Sequence, residues 1–179
     1  MTFEFTVENQ KKVKEIIAKY PKDRSKSAVM PLLDLAQRQN NNYISKEVIE
    51  VIAKILDIAP IRVYEVASFY TMYNLKPVGK YLIQVCGTTP CMLRGAGDLI
   101  KLCHDKLGIS KEETSADNLF TLKEVECLGA CANAPMVQIN DDYFEDLDVD
   151  SFSEIIEDLK AGKKVRIGSQ TGRISSEPV

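Results

Sequence analysis

Two pairs of cysteines, Cys86-x4-Cys91 and Cys127-x3-Cys131, each follow directly on a segment that alternates like a β-strand. Four sulfurs gathered from two such pairs can meet only if the two strand ends are neighbours. The first segment is Tyr81-Leu82-Ile83-Gln84-Val85 and the second is Phe120 to Glu126. Between them Ala96, Leu99, Ile100, Cys103 and Leu107 fall at helical spacing, and Gly108 is suited to end that helix. A right-handed strand–helix–strand crossover would set the two strands parallel and place both cysteine turns at their carboxyl edge, where α/β sheets carry their sites.

Downstream, Met136 to Ile139, a turn at Asn140-Asp141 and a strand near Tyr143 predict a hairpin. Ser151 with Glu154 has the pattern of a capping box, Phe152, Ile155, Ile156 and Leu159 make a final helical stripe, and Gly162 stops it. The order strand, helix, strand, strand, strand, helix is that of a thioredoxin-like domain.

The first part of the chain has another period. Val13, Ile16, Ile17 and Tyr20 form one apolar stripe, stopped by Pro21; Val29, Leu32, Leu33 and Ala36 form a second, ending in the polar run Gln37 to Asn42. Ser45 suits an N-cap for a third, on Val48, Val51, Ile52 and Ile55, and a short fourth helix is predicted over Arg62 to Phe69. The predicted class is therefore α/β (α+β). A helical bundle over 1–77 precedes a thioredoxin-like domain over 78–162, and 163–179 forms a tail, extended over a partner or disordered.

The five cysteines are an odd number, and a hydrophobic fraction of 45% in 179 residues allows a core without disulfides. Metal or redox chemistry is the better explanation. The single histidine, His104, leaves four thiolates as the donor set. Small or kinked residues in the turns, Gly87 to Pro90 in one and Gly129-Ala130 in the other, let backbone N–H groups approach sulfur, as a negative [2Fe–2S] cluster requires. A structural zinc ion also accepts four thiolates, although its ligand pairs usually sit in tighter knuckles. No Cys-x-x-Cys follows the first strand, which argues against a dithiol oxidoreductase. Cys103 lies on the apolar stripe of its helix and reads as core; His104 reads as exposed.

Other classes find little support. A net charge of −3 gives no basic field for nucleic acid. The acidic group Asp141, Asp142, Glu145, Asp146, Asp148 and Asp150 lacks EF-hand spacing and reads as a solvated loop and helix entrance. Gly95-Ala96-Gly97 lacks the third glycine and the preceding strand of a dinucleotide fingerprint. No apolar run approaches the ~20 residues of a membrane span, and the start has no signal-peptide pattern, so a cytoplasmic protein, or one already processed, without membrane insertion is expected.

Three stretches carry a resemblance: Val66-Ala67-Ser68-Phe69-Tyr70-Thr71-Met72-Tyr73, Cys86-Gly87-Thr88-Thr89-Pro90-Cys91-Met92-Leu93-Arg94-Gly95, and Glu126-Cys127-Leu128-Gly129-Ala130-Cys131-Ala132-Asn133-Ala134-Pro135. They resemble the small [2Fe–2S] subunit family of NADH:quinone oxidoreductase, respiratory complex I, a family with bacterial and mitochondrial members. The resemblance runs from about residue 10 to residue 160. It implies one [2Fe–2S] cluster on Cys86, Cys91, Cys127 and Cys131, and a role as an electron-transfer subunit of an oxidoreductase with no complete active site on this chain. It further implies a flavoprotein partner subunit binding FMN and NADH, additional peripheral-arm iron–sulfur subunits, and a peripheral position on the cytoplasmic side of the inner membrane, or the matrix side in a mitochondrion. Similar subunits occur in NAD-dependent formate dehydrogenases and NAD-reducing hydrogenases, and a free thioredoxin-like ferredoxin is a further alternative.

Overall fold

A computed structural model describes residues 3–174. The chain divides into two compact units, Met1–Val78 and Gly79–Val179.

The first unit is helical: α1 (Val7–Ala18), a 3₁₀ segment (Lys22–Ala28), α2 (Val29–Gln39), α3 (Lys46–Leu56) and α4 (Pro60–Phe69). The apolar stripes face inward except at Ile55, which is exposed while Ile49, Ala53 and Leu56 of the same helix face the core. Val13, Leu32, Leu33, Ala36, Val48 and Ile52 are buried in one core with Val63, Ala67 and Tyr73. Ser45 caps α3 by accepting the Val48 N–H at 3.4 Å. The end of α3 is set by Asp57, which turns left-handed (φ 51°), and Pro60 then opens α4, where its missing N–H costs nothing. The polar run Gln37 to Asn42, which begins within the last turn of α2, is less solvated than its composition suggests. Gln37 is buried, donates through Nε2 to Met72 O (3.0 Å) and accepts the Asn74 N–H at Oε1 (2.7 Å). A helix end thereby ties down the segment that follows α4.

The second unit is a five-stranded mixed sheet with order β2-β1-β3-β4-β5. Its strands are β1 (Tyr81–Cys86), β2 (Phe120–Val125), β3 (Val137–Ile139), β4 (Asp142–Glu145) and β5 (Gly168–Ser169). β1 and β2 are parallel with Tyr81 opposite Phe120 and Cys86 opposite Val125, as the crossover demands. The chain between them holds a short helix, α5 (Thr89–Leu93), and a longer one, α6 (Ala96–Leu107), which is closed by left-handed Gly108. β3 and β4 form the expected hairpin, turning at Asn140 (φ 55°). α6 packs on β1 and β2 and lies against α7 (Val149–Lys160). Leu99 and Cys103 of α6 join Ile83, Phe120, Leu122, Phe152, Ile155 and Ile156 in the second core.

Three expectations need correction. The capping box of α7 sits three residues earlier than predicted: Asp148 accepts the Ser151 N–H (2.7 Å) and Ser151 Oγ accepts the Asp148 N–H (3.0 Å). Thr89 and Pro90, read as part of a turn over Gly87 to Pro90, open the helix α5. Within the tail expected over 163–179, residues 168–170 return to their own sheet, since β5 pairs with β4 and Gln170 N donates to Glu145 O at 2.9 Å. Residues 175–179 of that expected tail lie outside the described residues. Among the described residues no helix is long and apolar enough to cross a membrane.

Candidate metal centre

The parallel pairing of β1 and β2 brings the two cysteine loops to one edge of the sheet. β1 ends at Cys86, whose N–H donates to Met136 O (3.3 Å), and Gly87 N extends the ladder to Val125 O (2.8 Å). The Glu124 side chain passes so near Gly87 that a Cβ there would stand 2.5 Å from its Oε1. Glycine permits that approach.

The chain then enters α5. Thr88 is its N-cap, yet the hydroxyl makes no capping bond and lies 3.3 Å from Cys86 Sγ. Pro90, in the first turn, needs no N–H donor there. This short helix points Cys91 into the core, and Cys86 and Cys91 are each 1% exposed. Met92 and Leu93, next in sequence, stay exposed.

The second loop is built differently. Cys127 and Cys131 are both exposed, and their sulfurs lie 3.4 Å apart. Gly129 turns the loop with φ 87°, a left-handed conformation that L side chains rarely adopt, and a 3₁₀ turn over Cys131–Asn133 follows. Tyr143 Oη donates to Leu128 O at 2.8 Å and fixes the loop to β4.

The loops share hydrogen-bond donors. Burial raises the Cys86 thiol, but the Thr88 hydroxyl, the Thr88 and Leu128 N–H groups and Cys91 more than offset it, and Cys86 ionises more readily than an ordinary thiol. Cys127 is lowered chiefly by the Gly129 N–H, then by Cys131 and by the Thr88 hydroxyl from the other loop. Their partners move the opposite way. Burial, with the Cys86 hydrogen bond, pushes Cys91 up to about 11, and the bond to Cys127 raises Cys131. Each pair thus holds one readily formed thiolate and one thiol that donates to it, and the charge on Cys86 also raises Cys131 across the loops. Among the described residues no three His, Cys, Asp or Glu side chains are gathered around a single-ion position. The thiols stand as two pairs.

The donor set suits a binuclear iron–sulfur cluster: four thiols, no imidazole, and N–H groups of Thr88, Leu128 and Gly129 directed at sulfur. Cys103 stands apart, fully buried on α6 and pushed up to about 12 by that burial alone. His104 is exposed, with Nδ1 3.3 Å from Asp105 Oδ1. Sequence reasoning missed Thr88 as a sulfur partner, although a hydroxyl two residues after a cysteine was a usable signal. It also missed Tyr143 and Asp146, whose roles depend on contacts remote in sequence. Asp146, expected among solvated acids, has a side chain only 8% exposed.

The family model of the thioredoxin-like [2Fe–2S] ferredoxins matches residues 13–160. The chain is 55% identical over 175 residues to the mitochondrial NADH dehydrogenase [ubiquinone] flavoprotein 2 of Dictyostelium discoideum, with 98% of this chain and 71% of that protein covered. It is 56% identical over 158 residues to an NADH-quinone oxidoreductase subunit of Rickettsia conorii, with 88% of this chain and 95% of that protein covered. Among solved structures it is similar to an NAD+-reducing [NiFe]-hydrogenase in the air-oxidized state, with a TM-score of 0.64 and 21% identity over 73% of this chain. The match spans only 23% of that hydrogenase chain, and at such identity the likeness is one of fold alone.

Proposed function

The chain belongs to the thioredoxin-like [2Fe–2S] ferredoxin family, and on that premise we propose that it is the small electron-transfer subunit of an NADH:quinone oxidoreductase, holding one [2Fe–2S] cluster on Cys86, Cys91, Cys127 and Cys131. Its partner on this reading is a flavoprotein subunit that binds FMN and NADH, within an assembly that includes further iron–sulfur subunits. The assembly lies peripherally on the cytoplasmic side of the inner membrane, or on the matrix side in a mitochondrion.

The observation that carries the reading is the parallel β1–β2 pair, which delivers two dithiol loops to one sheet edge with donors from each loop on sulfurs of the other. When bound, the cluster takes up and returns one electron at a time, while hydride chemistry belongs to the flavin of the partner. This chain's residues supply the ligands and their surroundings. Cys86 and Cys91 offer sulfur from a packed wall, and Cys127 and Cys131 offer it from the surface. Thr88, Leu128 and Gly129 donate to sulfur and favour its ionised form, as cluster binding requires. The strong match to quinone-reductase subunits over most of both chains favours this assembly over a hydrogenase or formate dehydrogenase.

Anaerobic isolation tests the reading. About two irons and two acid-labile sulfides per chain are expected, with red-brown visible absorption, and mass spectrometry of the native complex should find a flavoprotein at equal stoichiometry. A colourless zinc-containing chain would overturn the cluster assignment. An iron-loaded chain that purifies alone in native extracts would favour a free ferredoxin.

A further inference from the structure

The two cysteine pairs are held by different means. Packing fixes Cys86 and Cys91, each 1% exposed, whereas Cys127 and Cys131 are exposed and no core surrounds them. In the loop of the second pair Leu128 and Ala130 lean on the core and Tyr143 holds Leu128, while the polar bonds on the stretch just after Cys131 converge on Asp146.

Asp146 follows β4 in a left-handed conformation (φ 53°). Its N–H donates to Asn133 O (2.8 Å), and Leu147 N donates to Pro135 O (3.1 Å). Its carboxylate accepts from Asn133 Nδ2 (2.6 Å), Ser169 Oγ (2.6 Å) and Thr171 Oγ1 (3.5 Å), and pairs with Arg173 through Nη2. The same Arg173 Nη2 donates to Ala132 O at 2.6 Å. Arg173 is brought round by its own backbone, since its N–H donates to Ser169 Oγ at 3.0 Å. Ala132 directly follows Cys131, and Asn133 is the next residue.

Asn133 shows how strongly this arrangement is specified. It is fully buried, and its Oδ1 has no partner among the described residues. An unpaired buried acceptor costs free energy. Turning the amide over would set that oxygen against the Asp146 carboxylate, so the bond to Asp146 fixes the orientation despite the orphaned atom.

We propose that the segment after α7 is a strap, in which Arg173 and Asp146 clamp the backbone beside Cys131 and act as positioning residues for the exposed half of the cluster site. The proposal rests on the cluster assignment above. Neither residue touches a cysteine sulfur in the contacts described; both act through Ala132 and Asn133. The strap gives the stretch after Cys131 a hold that the buried first pair draws from its core.

The test uses the full chain loaded anaerobically, as wild type, R173A, D146N and a control, K163A, which breaks only the exposed pair with Asp158. Cluster release to a ferrous chelator, followed by loss of visible absorption, is compared with the electron paramagnetic resonance spectrum of the reduced protein and with its thermal midpoint. R173A and D146N should release iron at least about tenfold faster, the effect of one lost charge-assisted bond. Their resonance lines should shift or broaden, because the Cys131 sulfur is no longer held at one angle. K163A should match wild type in every readout. A purely structural role would lower the midpoint and leave the resonance spectrum unchanged, and that result would overturn the proposal. So would R173A releasing iron at the wild-type rate. Should D146N fail to fold, R173A, altered at a partly exposed side chain, decides alone. A wild-type chain without iron or sulfide would overturn the cluster assignment and the strap's role with it, a failure distinct from an iron-loaded wild type that R173A matches.

Discussion

Replacing Gly129 with alanine isolates the backbone's contribution to the second cysteine loop. Gly129 has φ 87°, and a Cβ there meets nothing within 4 Å. Steric overlap is therefore absent, and what remains is the cost of holding an L-residue left-handed, about 1–2 kcal/mol. That cost falls on the turn whose N–H donates to Cys127. If the loop keeps its shape, the loss corresponds to about a 5–30-fold change in the equilibrium between the closed loop and its relaxed forms. If it relaxes, the N–H leaves the sulfur and the Cys127 thiol rises towards its ordinary value. Both routes weaken metal retention, and the assay is bleaching of the visible bands by a ferrous chelator. G129A should bleach about 5–30-fold faster than wild type. G129N should recover part of the loss, since asparagine visits the left-handed region more readily. Equal damage from the two substitutions would refute the backbone argument, and so would wild-type retention in G129A.

Further predictions concern charge and packing. Burial raises the Asp146 carboxyl, yet Arg173, Ser169 and Asn133 together hold it below its usual value. A depressed carboxyl stabilises the fold above its unfolded-state value, and that contribution is lost as pH falls through the folded-state value; D146N should flatten the acid limb of the melting-temperature profile below about pH 4. Cys103→Ala should cost about 1 kcal/mol in thermal stability with unchanged iron and sulfide content, whereas Cys91→Ala should abolish both. Gln37→Leu removes the acceptor of the buried Asn74 N–H and the donor to Met72 O; it should destabilise by about 1–3 kcal/mol in a denaturant titration and leave the visible spectrum intact.

The helices were legible because their cores are written at a fixed period. The stripes Val48, Ile52 and Leu99, Cys103 face inward as that period requires, and Ser45 and Gly108 end their helices by local chemistry. The cysteine pairs were legible for a similar reason: each is local, and strand patterning before Cys86 and Cys127 tells which edge they share. What stayed hidden depends on partners far along the chain. Thr88 looks like an ordinary cap until its hydroxyl is found beside sulfur. Asp146 looks like one of six surface acids until Arg173, 27 residues later, reaches it. β5 is two residues long and includes a glycine, so no alternation could announce it. The shift of the α7 cap from Ser151 to Asp148 arises because either residue satisfies the local pattern and only the full turn decides.

The β1–β2 register has a consequence for how such a chain is made. Cys86 sits opposite Val125, so the quartet of sulfurs does not exist until a crossover of more than thirty residues has closed and its helix has docked. Before that moment a nascent chain carries two separate dithiols, each complete within six residues of sequence and each able to chelate a stray thiophilic ion or oxidise to a small ring. On the proposed ligand set, a cluster bound by all four sulfurs holds the crossover closed, so that binding it and assembling the sheet favour one another.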